Sequence, residues 1–226
     1  VSPRRDRSPS FFFSVWLVLL LVSLPFLAGC GVKYVSGAAS PHFQEYSIKK
    51  IAVLPFQTQP ILPDGKISEG SPVAEGSDHL LTRIFVERLQ ATGRYQIIPP
   101  EQVEAVLKTA QSAGSGTMTT RLIQKVGKAL GADVVITGRV LRFTERTGGS
   151  LGSQRPASVG FVVEMINVGD GQILWSSQYS ETQKALSEDL NTLPLFLKRG
   201  GKWLTARELA EYGVEEMIKT LPKKKG

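Results

Sequence analysis

The sequence supplies one strongly nucleophilic side chain, the thiol of Cys30, and two histidines, His42 and His79. A single cysteine cannot close an intramolecular disulfide, and three such groups cannot form a Cys/His zinc cage, so stapled and zinc-held folds are excluded. No HExxH, CxxC or P-loop occurs. Gly114-Ser115-Gly116 has a phosphate loop's glycines, but it joins two helical stretches and no Gly-Lys-Ser/Thr follows. His79 stands at a helix start without a cysteine, serine or acidic cluster around it and reads as a polar first-turn residue. Asp64 and Glu69 lie in a turn-rich stretch, where solvation accounts for them. The expectation is a protein that is not an enzyme, with no cofactor and no metal, whose one chemically committed group is Cys30.

The position of that thiol is informative. Residues 1–10 are basic and turn-rich, residues 11–28 read FFFSVWLVLLLVSLPFLA, and small residues follow, which is the order of a secretory signal. An apolar run of this length could also span a bilayer as a permanent helix. Pro25 and the ending argue against that alternative. The ending, Leu27-Ala28-Gly29-Cys30, resembles the bacterial lipoprotein signal box. The resemblance implies diacylglyceryl transfer to Cys30, cleavage after Gly29 and acylation of the new amino group, with Leu27, Ala28 and Gly29 as the peptidase's recognition residues. Stable anchoring takes about two acyl chains, so a triacylated Cys30 would hold the protein at its membrane. Gly31 rather than aspartate follows, which resembles outer-membrane sorting in a diderm host.

Composition is near the globular average, with 42% apolar and 21% charged residues among 226, enough for a packed core. The net charge of +7 is concentrated at the ends, in Arg4, Arg5 and Arg7 and in Lys223, Lys224 and Lys225. What remains for the middle is too little for a nucleic-acid footprint. Residues 31–47 sustain neither a helical nor a strand period and read as a flexible tether.

Beyond the tether, Lys49–Phe56 is a short apolar run closed by Pro55, a buried first strand. Residues 57–75 hold Pro60, Pro63, Gly65, Gly70 and Pro72, and a surface or binding loop is predicted there. Leu81, Ile84, Phe85 and Leu89 recur at helical spacing and Gly93 stops that helix. Tyr95–Ile98 is a short strand, Val103, Val106, Leu107 and Ala110 mark a helix, and Leu122, Ile123, Val126 and Leu130 mark another between Thr119 or Thr120 and Gly131. Asp133–Arg146 is a strand. Residues 158–168 and 172–181 form a hairpin about Gly169-Asp170-Gly171, with Ile173, Trp175 and Tyr179 expected on one inward face.

Residues 184–204 crowd Leu193, Leu195, Phe196 and Leu197 against Lys198, Arg199, Lys202 and Trp203. Such a cluster can dip into a headgroup layer or fold back and hide its leucines, and hiding is favoured. Thr205 and Glu208 form a capping box before a last helix carrying Leu209, Tyr212, Met217, Ile218 and Leu221.

The texts IAVLPF at 51–56, GRYQIIPPEQVEAVL at 93–107, LGADVVITGRV at 130–140 and VGDGQILWSS at 168–177 resemble the bacterial lipoproteins that include the CsgG-type curli secretion proteins and the LpoB-type activators of penicillin-binding proteins, with a similar domain at the N-terminus of TolB. The resemblance implies an α/β domain of TolB-N-terminal or anticodon-binding-like type, with a mixed sheet of about five strands in the order β-α-β-α-α-β-β-β-α. It implies a periplasm-facing, outer-membrane lipoprotein that docks or regulates an envelope partner, a peptidoglycan synthase or a secretion complex. The alternative is a CsgG-like ring-forming secretion component, a homo-oligomer. Residues 144–158 and 184–204 look too short or too interrupted for the paired membrane strands of a pore. The expected organisation is a signal peptide at 1–29, acylated cysteine and tether at 30–47, the domain at 48–221 and a basic tail at 222–226. Asp64, Glu69, Phe196, Arg199 and Trp203 are the candidate partner contacts.

Overall fold

The protein, seen in a computed structural model, is described for residues 34–58, 73–112, 118–149, 153–184 and 193–223. Residues 34–226 make one compact unit. Its strands are β1 (Val35–Ala39), β2 (Lys50–Val53), β3 (Gln96–Ile97), β4 (Val134–Thr144), β5 (Thr147–Gly148), β6 (Ser153–Arg155), β7 (Ser158–Asn167) and β8 (Ile173–Thr182). Its helices are α1 (Ser77–Ala91), α2 (Pro100–Ser112), α3 (Thr120–Leu130), α4 (Leu193–Lys198) and α5 (Ala206–Thr220). The main sheet has six strands in the order β1-β8-β7-β4-β2-β3, and β5 and β6 form a separate small hairpin. Strand β2 runs parallel to β3 and β4, and the other neighbours are antiparallel.

Helices cover both faces of the β2–β4 region, which explains why those strands read as unbroken apolar runs. Ile51, Val53, Val134 and Ile136 pack with α1 and α5, while Ala52, Leu54 and Val135 pack with α2 and α3. Local signals set the helix ends. The Thr119 hydroxyl accepts the Leu122 N–H at 3.3 Å, and Gly131 closes α3 at φ 61°, a left-handed conformation that costs glycine nothing. The capping box at α5 forms as expected, Thr205 accepting the Glu208 N–H while Glu208 accepts the Thr205 N–H.

Two expectations need correction. The stretch read as a tether contains β1, which pairs with β8 from Val35↔Tyr179 to Ala39↔Trp175, and Phe43 and Ile48 behind it are buried. Its sequence, VSGAA, has no strand period because its state is dictated by the edge it joins. With this strand the mixed sheet has six strands. Finally, Ile173 is 50% exposed rather than inward. A register shift in the β7–β8 pairing lets Met165 face Trp175 and Ile166 face Ile173, so Leu174 is the extra residue and the alternation flips there.

The inner face of β8 meets α5 at close quarters. A Cβ on Gly213 would stand 2.5 Å from the Tyr179 ring, so α5 can approach only because that position is glycine. The Gly213→Ala variant should therefore lose about 1–3 kcal/mol, as overpacked cores do, although the same change in an exposed helix is stabilising. A urea midpoint at or above that of the unmodified protein would refute this.

Candidate functional site

Strand periodicity aims Trp175, Ser177, Tyr179 and Glu181 at the same side, and all four are buried. Three of them have ordinary reasons to be there. Glu181 does not, since a carboxylate only 3% exposed must be compensated. Compensation comes from Arg199, just beyond α4. Its Nη1 donates to Oε1 at 2.5 Å and its Nη2 to Oε2 at 2.9 Å, a bidentate pair in which both side chains are nearly excluded from water. The Tyr179 hydroxyl donates to Oε2 at 2.7 Å, and the guanidinium carbon stands 4.1 Å above the Tyr212 ring on α5.

Proton affinities follow from this geometry. Burial, followed by the charge of Glu181 and its hydrogen bond, pushes the Tyr179 phenol well above its ordinary range. Burial alone would lower Arg199, but the hydrogen bond and charge of Glu181 outweigh it and raise the guanidinium. Tyr179 thus keeps its proton and Arg199 its charge in the physiological range, and the bidentate pair with its Tyr179 bond fastens the segment to β8.

Around it the chain turns through Gly200 and Gly201, and Phe196 and Trp203 meet with ring centroids 5.1 Å apart. Lys202 Nζ donates to Glu208 Oε1 at 2.7 Å. The Lys202 bond and the Thr205 N–H hold the Glu208 carboxyl below the usual glutamate range. The expected folding back is thus realised for Trp203 and Leu204, which are buried, but not for Leu193 and Leu197, which are exposed. A six-residue helix fastened by Arg199 has too little surface to bury every side.

The fold therefore brings together Phe196, Arg199 and Trp203, with Arg199 and Trp203 committed to contacts inside the domain. Leu27, Ala28, Gly29, Cys30, Asp64 and Glu69 lie outside the described residues. Missed in the sequence were Glu181, Tyr179 and Tyr212 as partners of Arg199, and Tyr34, which lines a small hollow with Glu181, Phe196, Arg199 and Trp203. One signal was available for Glu181: it falls on the inward register of Trp175 and Tyr179, where a charge requires a partner.

Two further concavities exist among the described residues. One, of about 270 Å³, lies between α3 and the sheet and carries Arg139 and Glu164. The other, of about 410 Å³, is an apolar groove between α2 and α3. No group of three His, Cys, Asp or Glu side chains among the described residues could hold a metal. None of the described helices is long and apolar enough to cross a membrane. Among the described residues between β4 and β7 the strands are the two- and three-residue β5 and β6. Residues 145–157 are fewer than two spanning strands of about 9–11 residues each would need.

This is an open mixed-sheet α/β scaffold with a fastened C-terminal segment. The chain belongs to the CsgG family: the family described as "Curli production assembly/transport component CsgG" matches residues 32–220. No curated protein sequence matches significantly. Among solved structures the chain is similar to the PelC dodecamer from Paraburkholderia phytofirmans, at 17% identity over 83% of this chain and 96% of that one, with a TM-score of 0.47. It is also similar to the lipoprotein GNA1162 from Neisseria meningitidis, at 16% identity over 68% and 96%, TM-score 0.38. A third is the LpoB C-terminal domain from Salmonella enterica, at 15% identity over 61% and 85%, TM-score 0.37.

Removing one partner of a buried ion pair strands the other. Arg199→Met should destabilise the protein by about 3–5 kcal/mol, and Glu181→Leu with Arg199→Met should be less destabilised than Arg199→Met alone. Urea unfolding compares the two, and equal losses would refute the assignment. A carboxyl whose pKa is lowered by folding contributes stability that is complete above the ordinary glutamate value and vanishes as pH falls through the folded one. NMR titration of Glu208 should accordingly give a midpoint below the ordinary value, and Lys202→Ala should raise it.

Proposed function

We propose that the protein is an envelope lipoprotein, acylated at Cys30 and held at the outer membrane facing the periplasm, whose α/β domain docks a protein partner during assembly or regulation of an envelope machine. The observation that carries this reading is Leu27-Ala28-Gly29-Cys30 at the end of an apolar leader, directly ahead of a domain of the CsgG family. The role is docking rather than catalysis, because the only thiol is spent on lipid and the buried charged residues are spent on structure.

Anchoring confines the domain to a thin shell of periplasm and raises its effective concentration for neighbours there. Tyr34 already accepts the Ser180 N–H through its carbonyl, so the described fold begins four residues after Cys30 rather than at residue 48. The partner is an envelope protein, a peptidoglycan synthase or a secretion complex, and the 57–75 loop with Asp64 and Glu69 is the proposed contact. The family's description as an assembly and transport component also supports a second reading, a ring of copies serving secretion.

Mass spectrometry of protein from membranes should find a processed chain beginning at triacylated Cys30, and Cys30→Ser should abolish processing and acylation. An uncut leader with a free thiol would overturn the anchor. Photo-crosslinkers at positions 64 and 69 in cells should capture a synthase or a secretion subunit. Capture of the chain itself would favour the ring, and capture of nothing would count against docking.

A further inference from the structure

Helix α4 is divided. Phe196 meets Trp203 on one side, while Leu193 and Leu197, four residues apart and so on one face, are 39% and 63% exposed. Among the described residues the other large apolar side chain left exposed is Ile173, at 50%. The leucines are not carried on a loose arm. Arg199 is bonded to the buried Glu181, and Lys202 is bonded to Glu208 at the cap of α5, so the helix presents its apolar face at a fixed angle to the sheet.

Covalent geometry sets how far this face can be from the proposed anchor. Tyr34 lines the hollow beneath α4 with Phe196, Arg199 and Trp203. Cys30 is four residues upstream, and four residues span at most about 14 Å when fully extended. Ile173 is at the other end of β8, seven residues from Ser180 and hence about 23 Å along the strand.

We propose that the Leu193–Leu197 face of α4 enters the boundary between headgroups and acyl chains beside the anchor, so that the domain rests on the bilayer in one orientation. The occupant is a lipid surface, because acyl chains on Cys30 bring that surface within reach of the residue that underlies α4. Interfacial helices bury an apolar face about 5–10 Å deep, a depth that two leucines on a latched helix can reach without unfolding the domain. The consequence is orientational. The sheet edge at β3 and the α2–α3 groove are presented reproducibly toward the periplasm instead of tumbling on a leash. This inference rests on acylation of Cys30.

The test uses the acylated mature protein in vesicles of phosphatidylethanolamine and phosphatidylglycerol. A thioether at Cys30 leaves no free thiol, so Leu197→Cys, Leu193→Cys and Ile173→Cys can each be labelled singly with an environment-sensitive fluorophore. Probes at 197 and 193 should shift to the blue, be quenched by nitroxide-bearing lipids and lose quenching by aqueous iodide, while the probe at 173 does none of these. With Leu197→Glu the protein should stay vesicle-bound while iodide regains access to a probe at 193. If the acylated, vesicle-bound protein keeps its 197 probe open to iodide, the orientation is wrong and the anchor stands. Protection from both iodide and nitroxide lipid means that protein covers the face, which overturns the proposal. A free thiol at position 30 together with no vesicle binding overturns the anchor and this inference with it.

Discussion

A carboxylate placed inside a protein must be neutralised or bonded, and the side chain of Glu181 imposes that requirement on everything C-terminal to β8. Arg199 has to return to it, so residues 193–204 cannot wander. Once Arg199 is seated, Tyr212 lies beneath its guanidinium, Trp203 and Leu204 turn inward and Thr205 begins α5. Helix α5 then covers β8 at a separation set by Gly213. The pair adds little net stability against an apolar substitute of the same shape. Its effect is geometric, because the two Nη groups of Arg199 meet both carboxylate oxygens of Glu181 in a bidentate pair of defined orientation.

Strand β1 applies a comparable constraint at the other end of the domain. By pairing with β8 it makes residues 35–39 part of the sheet, and Tyr34 just before it lines the hollow at α4. Both ends of the described chain thus converge on β8, the strand between β1 and β7. The α2–α3 groove is held in place by the fold.

Much of the fold was legible in the sequence. Strands β2, β4, β7 and β8 and helices α1, α2, α3 and α5 follow from periodicity, caps and turn residues, all of which act within a few positions of the chain. Thr119, Gly131 and the Thr205–Glu208 box are local hydrogen-bonding or steric devices and need no tertiary partner to be read. Strand β1 was illegible because VSGAA has no preference of its own and becomes a strand only where β8 offers an edge. The displacement of Ile173 was hidden for a related reason, since the register shift at Leu174 belongs to a pairing and not to one strand.

The site divides along the same line. The sequence by itself determined the apolar run that ends at Cys30, the clustering of apolar, aromatic and basic residues near 196–203, and the lack of an HExxH, CxxC or P-loop motif, because these are matters of composition and spacing. Only the tertiary structure decided that Arg199 belongs to Glu181, that Trp203 is buried while Leu197 is exposed, and that Tyr34 lies beneath them. Those outcomes depend on which distant groups compete for the same water-excluded space, and that competition is settled by packing between residues far apart in the chain.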